Sequence, residues 1–251
     1  GETLATSGIT GVPALSTSAT VSSGVGLYDI VTKVGSLNSA NYSFEFRNNT
    51  LSIRKATINI VADDMRRIYG DANPAFTANY SGFVNGETLA NSGVTGAPAI
   101  TTSATIQSSA GEYAIVPAIG TLAASNYSFA FENGKLWVGK VTLNVIADHK
   151  NRPYGSVNPE LTITYSGFVS GETLATSGVT GKPTISTTAI TSSPMGVYPI
   201  TVTIGTMSAV NYDFNFVLGN LTVGKATITV TADNKSKTYG AANPALTYVL
   251  S

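Results

Sequence analysis

The sequence predicts an all-β protein, a tandem array of small β-sandwich-like, immunoglobulin-like domains. Long phrases recur along the chain at one fixed spacing, which marks a repeat architecture. Inside each repeat, apolar and polar residues alternate with the period of two that places every second side chain on the buried face of a strand. The composition agrees: 43% hydrophobic residues, 25 glycines and only 11% charged residues, in a chain rich in Thr, Ser and Tyr, suit pleated, half-buried surfaces. The alternative is a β-grasp-like unit. That fold needs a crossover helix, and the GETLA segment is short for one.

The repeat is fixed by three phrases. Gly-Glu-Thr-Leu-Ala begins at Gly1, Gly86 and Gly171; Asn-Tyr-x-Phe begins at Asn41, Asn126 and Asn211; Tyr-Gly-x-x-Asn-Pro begins at Tyr69, Tyr154 and Tyr239. Each recurs every 85 residues without an insertion, too long a period for a solenoid coil and long enough for a small domain. Boundaries fall just after a recurring lysine. Residues 56–140 and 141–225 are then complete repeats, residues 1–55 are the C-terminal part of one, and residues 226–251 are the N-terminal strands of another.

Within a repeat, Ile58, Ile60 and Ala62 alternate with Thr57, Asn59 and Val61 in the first strand. The Tyr-Gly-x-x-Asn-Pro turn follows, with Gly70 supplying positive φ and Pro74 ending the local ladder. Leu161–Gly167 reads as the next strand. GETLATSGVTG holds at most one helical turn before glycine breaks it. PTISTTA, GVYPITVTIG, NYDFNFV and NLTVGKA supply four further strands. The segment around Asn48-Asn49, or Asn133-Gly134 one repeat later, reads as a hairpin turn between the last two strands. Short strands with turns every 8–12 residues indicate a sandwich or small open barrel. Only Gly139-Lys140 separates one repeat from the next, so the array is expected to be a stiff rod.

Charge and cysteine content remove several function classes. Fourteen basic residues balance fourteen acidic ones, so the basic field that nucleic-acid binding needs is missing. Without cysteine, disulfides and thiolate metal sites do not arise. No apolar run is long enough to span a membrane. Because the chain opens on a phrase that recurs internally, its true start is expected upstream, with any export signal or anchor outside these residues.

The ordered set Tyr-Gly-x-x-Asn-Pro, Ser-Gly-Phe-Val-x-Gly-Glu-Thr-Leu (Ser81–Leu89, Ser166–Leu174), Gly-x-Tyr-x-Ile and Asn-Tyr-x-Phe resembles the MBG domain of the Tyr-Gly-x type. The likeness covers essentially the whole chain. It implies tandem domains of a large bacterial surface protein, an extracellular location, and a stalk or adhesive role with no catalytic residues. The family-motif positions are Tyr69, Gly70, Asn73 and Pro74; Tyr154, Gly155, Asn158 and Pro159; Tyr239, Gly240, Asn243 and Pro244.

No residue pattern calls for catalysis, a metal or a cofactor. His149 is the single histidine and aligns with Asp64 and Asn234, which reads as a freely varying loop position; general-base or metal work needs partners that recur with it. Asp63, Asp148 and Asp233 recur one per repeat, too few oxygens for calcium, and read as turn caps. Arg67, Arg152 and Lys237 read as solvated loop charges. The recurring tyrosines, Tyr28, Tyr113 and Tyr198 with Tyr42, Tyr127 and Tyr212, read as core or corner residues. One sharper possibility is an isopeptide bond between lysine and asparagine assisted by a buried acid, for which Lys140, Asn126 and Glu87, and Lys225, Asn211 and Glu172, recur in step.

The two outer stretches are complementary: residues 226–251 are the strands that residues 1–55 lack. Head-to-tail completion between copies by β-strand complementation is one expectation; a stretch cut from a longer array is the other. The function expected is a structural stalk or fibre of a bacterial surface adhesin. The alternative is a module that binds carbohydrate or a host protein. Its partners are then other copies, or a host or environmental surface ligand.

Overall fold

A computed structural model describes residues 1–251, and the chain folds as β-strands throughout, without a helix. No helix is therefore long and apolar enough to cross a membrane. The chain forms two compact units. The first is Gly1–Arg67, Asp71–Ile106 and Gly111–Val138; the second is Ile68–Gly70, Gln107–Ala110 and Gly139–Ser251.

The first unit begins with an antiparallel sheet of β1 (Ala14–Thr17), β2 (Gly26–Lys33) and β3 (Asn49–Ile53), in that order. The complete repeat follows with β4 (Ala56–Ala62), β5 (Met65–Ile68), β6 (Ala78–Ser81), β7 (Ala99–Thr102), β8 (Gly111–Ala118), β9 (Tyr127–Glu132) and β10 (Gly134–Gly139). These make two sheets, ordered β6-β4-β9 and β5-β10-β8-β7. β4 runs antiparallel to β6 and parallel to β9, with Ala56 opposite Tyr127 and Val61 opposite Glu132.

The expected alternation decides which face is buried. Ile58 and Ile60 are fully buried, Ala62 nearly so, and Thr57 and Asn59 at alternate positions are exposed. With Leu122 and Tyr127 these isoleucines form a core cluster joined by Tyr80, Phe83 and Phe129. Side chains at every second position of a strand share one face, so one face of β4 suffices to make the core.

The second unit repeats the plan with β11 (Val141–Ala147), β12 (Lys150–Pro153), β13 (Ile163–Ser166), β14 (Thr184–Thr187), β15 (Gly196–Thr203), β16 (Tyr212–Val217) and β17 (Gly219–Gly224). The sheets are β13-β11-β16 and β12-β17-β15-β14. Val145 from one sheet packs with Ile200, Val202 and Leu221 from the other, the interlocking of inner faces that makes a sandwich core. A final pair, β18 (Val230–Ala232) and β19 (Tyr248–Leu250), is antiparallel and exposed.

One expectation is corrected. Asn133-Gly134 is not the turn of a hairpin, because β9 and β10 belong to different sheets and do not pair. The chain switches sheets there, as it also does between β4 and β5 at Asp63-Asp64. The two crossings run so close that a Cβ on Gly134 would lie 2.4 Å from the Ala62 carbonyl oxygen. Gly219 meets the Ala147 carbonyl in the same way. Glycine is needed there for close backbone approach, not for a reversed turn.

Candidate functional site

The recurring residues build one constellation around the Tyr-Gly-x-x-Asn-Pro loop. Two residues before the tyrosine stands an arginine. Arg67 and Arg152 are buried, which corrects the expectation of solvated loop charges. Arg152 Nε donates to Asn158 Oδ1 at 2.7 Å and Nη2 donates to the Ile190 carbonyl at 2.5 Å. Arg67 does the same with Asn73 Oδ1 and the Thr105 carbonyl. The motif asparagine then spends its amide on the neighbouring carbonyl, Asn158 Nδ2 on Ala189 and Asn73 Nδ2 on Ala104. A buried guanidinium is tolerable only when its donors are satisfied, and these carbonyls and amides satisfy them. Lys237 is exposed and bonds only the nearby Ala241 carbonyl.

The tyrosine of the motif meets the glutamate of GETLA. In the second unit Tyr69 OH donates to Glu172 Oε1 at 2.6 Å, and Tyr212 OH donates to the other oxygen of the same carboxylate. The Tyr69 and Tyr212 rings stand edge to face, 6.0 Å between centroids, a favoured aromatic geometry. Burial first, then the bond to Glu172, pushes the Tyr212 hydroxyl up to about 12. The bond to Glu172 is the main cause that raises Tyr69. In the first unit Tyr127 OH donates to Glu87 Oε2, which raises that hydroxyl as well.

Gly70 takes φ +87°, and a Cβ there would stand 2.8 Å from Val169 Cγ2. Both reasons require glycine after the tyrosine. Gly155 and Gly240 keep the same conformation, at φ +83° and +82°. Pro74 and Pro159 are half-buried behind the loop, whereas Tyr154, Gly155, Tyr239, Gly240, Asn243 and Pro244 are exposed.

The residues considered for an isopeptide bond hold other partners or lie exposed. Lys140 Nζ, exposed, bonds the Ala209 carbonyl at 3.3 Å and pairs with Asp213 at 3.5 Å. Asn126 Oδ1 accepts from Val25 N–H, and Asn211 Oδ1 accepts from Ala110 N–H, both at 3.0 Å. Glu87 and Glu172 hold tyrosines, and Lys225 is exposed. Neither lysine is buried with its asparagine and glutamate, the setting that such a condensation calls for.

The aspartates and the histidine are structural acceptors. Asp148 takes the hydroxyls of Thr162 and Thr164, which hold its carboxyl below the ordinary carboxylate range; Asp63 takes Thr77 and Asn79. His149 Nδ1 accepts from Asn220 N–H at 2.9 Å, where Asp64 Oδ1 accepts from Lys135 N–H at 2.7 Å. That position varies within one constraint missed in the sequence: the side chain must offer an acceptor. Tyr28 and Tyr198 are corner residues, each donating to a carbonyl four residues back.

The sequence model of the MBG domain (YGX type) matches residues 58–137, 143–222 and 228–251. The chain belongs to this family. No curated protein matches the chain. Tandem MBG repeats are typically found in surface proteins. For this MBG chain the family's signature residues have a physical role: the arginine–asparagine clamp shapes the Tyr-Gly loop, and that loop presents a tyrosine to a glutamate of the following repeat.

Proposed function

We propose that these MBG repeats are part of the stalk of a bacterial cell-surface adhesin, an extracellular array whose work is reach and adhesion rather than catalysis, and which uses no cofactor. The observation that carries this reading is what the recurring residues do. Inside the second unit Tyr69 meets Glu172, Ala110 meets Asn211, and Lys140 meets Ala209. Inside the first, Val25 meets Asn126 and Lys55 Nζ meets the Ala124 carbonyl. Each of these bonds ties one repeat to its successor. A spacer needs such joins, whereas a binding module needs an exposed polar or aromatic cluster that recurs.

With a rise of about 3.3 Å per strand residue, each repeat would add roughly 30–40 Å to a stalk. Small-angle X-ray scattering on the full chain tests this. An elongated particle several repeats long supports a stalk, and a compact globular profile overturns it. The rival reading, a carbohydrate- or host-protein-binding module, wins if the chain binds a glycan array or a matrix protein through the repeats at 56–225. Any hydrolytic turnover assigned to purified chain would overturn the absence of catalysis.

A further inference from the structure

We propose that Tyr69 and Tyr212 form an oxidative modification site, a pair of phenols from two successive repeats placed to be joined by a carbon–carbon bond into a dityrosine. The observation behind it is that both hydroxyls donate to one carboxylate, Tyr69 to Glu172 Oε1 at 2.6 Å and Tyr212 to Glu172 Oε2. The inference goes beyond the stalk reading and does not need it, since the pair stands as it does whatever the array is for.

Each phenol is fixed by more than its bond to Glu172. Tyr69 follows β5, and its N–H donates to the Gly139 carbonyl at 2.8 Å. Tyr212 opens β16, and its hydroxyl accepts from the Val169 N–H at 3.2 Å. The two ring centroids stand 6.0 Å apart with the rings at 77°, so the edge of one ring faces the other. Phe168 packs edge to face on Tyr212 as well. Tyr69 is 7% exposed and Tyr212 1%, so a radical formed on either is held beside its partner and shielded from other copies. Holding two reacting groups in this way makes their coupling a step within one molecule.

Glu172 supplies the base that the chemistry needs. Removing an electron from a phenol makes its proton strongly acidic, and a carboxylate within hydrogen-bond reach takes that proton as the electron leaves. Each tyrosine gives up one electron, and each hydroxyl proton passes to Glu172 and then to water, which reaches this half-buried carboxylate. The unpaired electron of a phenoxyl radical spreads to the ring carbons beside the oxygen. One such carbon of each ring joins the other, loses its hydrogen as a proton, and each oxygen takes a proton back. One C–C bond forms, two C–H bonds break, and two protons and two electrons leave. The electrons reduce the O–O bond of a peroxide-class oxidant, giving two waters from hydrogen peroxide or two sulfates from persulfate. The product ties the loop of one repeat to a strand of the next, bypassing the Gly139-Lys140 junction.

Irradiating the full chain at neutral pH with tris(bipyridine)ruthenium and persulfate, diluted so that copies seldom meet, tests the proposal. The expected product is a monomer lighter by two hydrogen atoms, with dityrosine fluorescence, whose digest joins the peptide carrying Tyr69 to the peptide carrying Tyr212. Tyr69→Phe and Tyr212→Phe, which keep the rings and change only the phenols, should each abolish that joined peptide. Glu172→Gln should lower its yield. Tyr28→Phe and Tyr198→Phe, which remove hydroxyls bonded to carbonyls instead of a carboxylate, should leave it intact. Oxidation that gives no dityrosine overturns the proposal, as does dityrosine found only between copies or only through other tyrosines. A Tyr69–Tyr212 bond formed equally well in Glu172→Gln overturns it too. Each of these failures leaves the scattering test of the stalk untouched.

Discussion

Residues 42–47 and residues 127–132 are nearly the same peptide, Tyr-Ser-Phe-Glu-Phe-Arg against Tyr-Ser-Phe-Ala-Phe-Glu, yet only the second is a strand. The second lies parallel to β4; the first has no such neighbour among residues 1–55. Tyr127 is 1% exposed, whereas Tyr42 is 45% exposed with its hydroxyl still on Glu2. The lesson is that the tyrosine–glutamate bond within one repeat forms in either setting, while strand character and burial come from the partner strand. Intrinsic β-propensity is a preference for a packed, pleated surface rather than a property of the peptide.

The strongest way to break this comparison is to make one substitution on both sides of it. Leu143 is fully buried and its counterpart Ile228 is 68% exposed. Leu143→Ala should cost about 3 kcal/mol, and Ile228→Ala less than about 0.5 kcal/mol, read from denaturant unfolding of the chain. Equal losses would mean that residues 226–232 are packed in solution.

The arginine clamp gives the next effect. Arg152→Ala strands the Ile190 carbonyl and the Asn158 side chain and should cost about 2 kcal/mol, while Lys237→Ala should be silent in thermal melts. Gly134→Ala should cost about 1.5 kcal/mol through the contact with the Ala62 carbonyl. Asn49 already carries a side chain at the equivalent position in β3, so Asn49→Ala should be close to neutral in the same assay.

The smallest effect appears only in alkali. Tyr212 holds its proton up to about 12 in the folded chain, above the ordinary 10.0. The unfolded chain therefore ionises first as pH rises. The stability this hydroxyl contributes is fully present below pH 10 and is lost as pH climbs toward 12. Ultraviolet tyrosinate titration should show a late-ionising tyrosine that Tyr212→Phe removes. Ionisation of every tyrosine near pH 10 would deny the burial.

Much of this fold is legible in the sequence. The alternation of Ile58, Ile60 and Ala62 reports a one-sided core, and the fixed recurrence of three phrases reports the array. The Asn133-Gly134 sheet switch is not legible, because strand–turn–strand reads identically whether the strands pair or part. Its one hint is that glycine recurs at 219 while asparagine stands at 49. The buried arginines were missed because a long cation before a loop normally lies in water, although an asparagine stands six residues beyond Arg67 and Arg152 alike. The motif residues were legible as a set, but their roles were not. Tyr69 and Glu172 are 103 residues apart, and no local pattern links them.

The parallel pairing of β12 with β17 has a mechanical consequence. Lys150 faces Leu221 and Pro153 faces Gly224, so the strands near the two ends of that repeat point the same way and share one ladder. β11 and β16 add a second parallel ladder in the other sheet. Tension applied at residues 141 and 224 enters through β11 and β17, each of which is laddered to a parallel partner, β16 or β12. The rungs then bear the load together, as in a lap joint, instead of opening one by one like a zip. A domain wired this way should resist stretching along that axis more than its modest core implies.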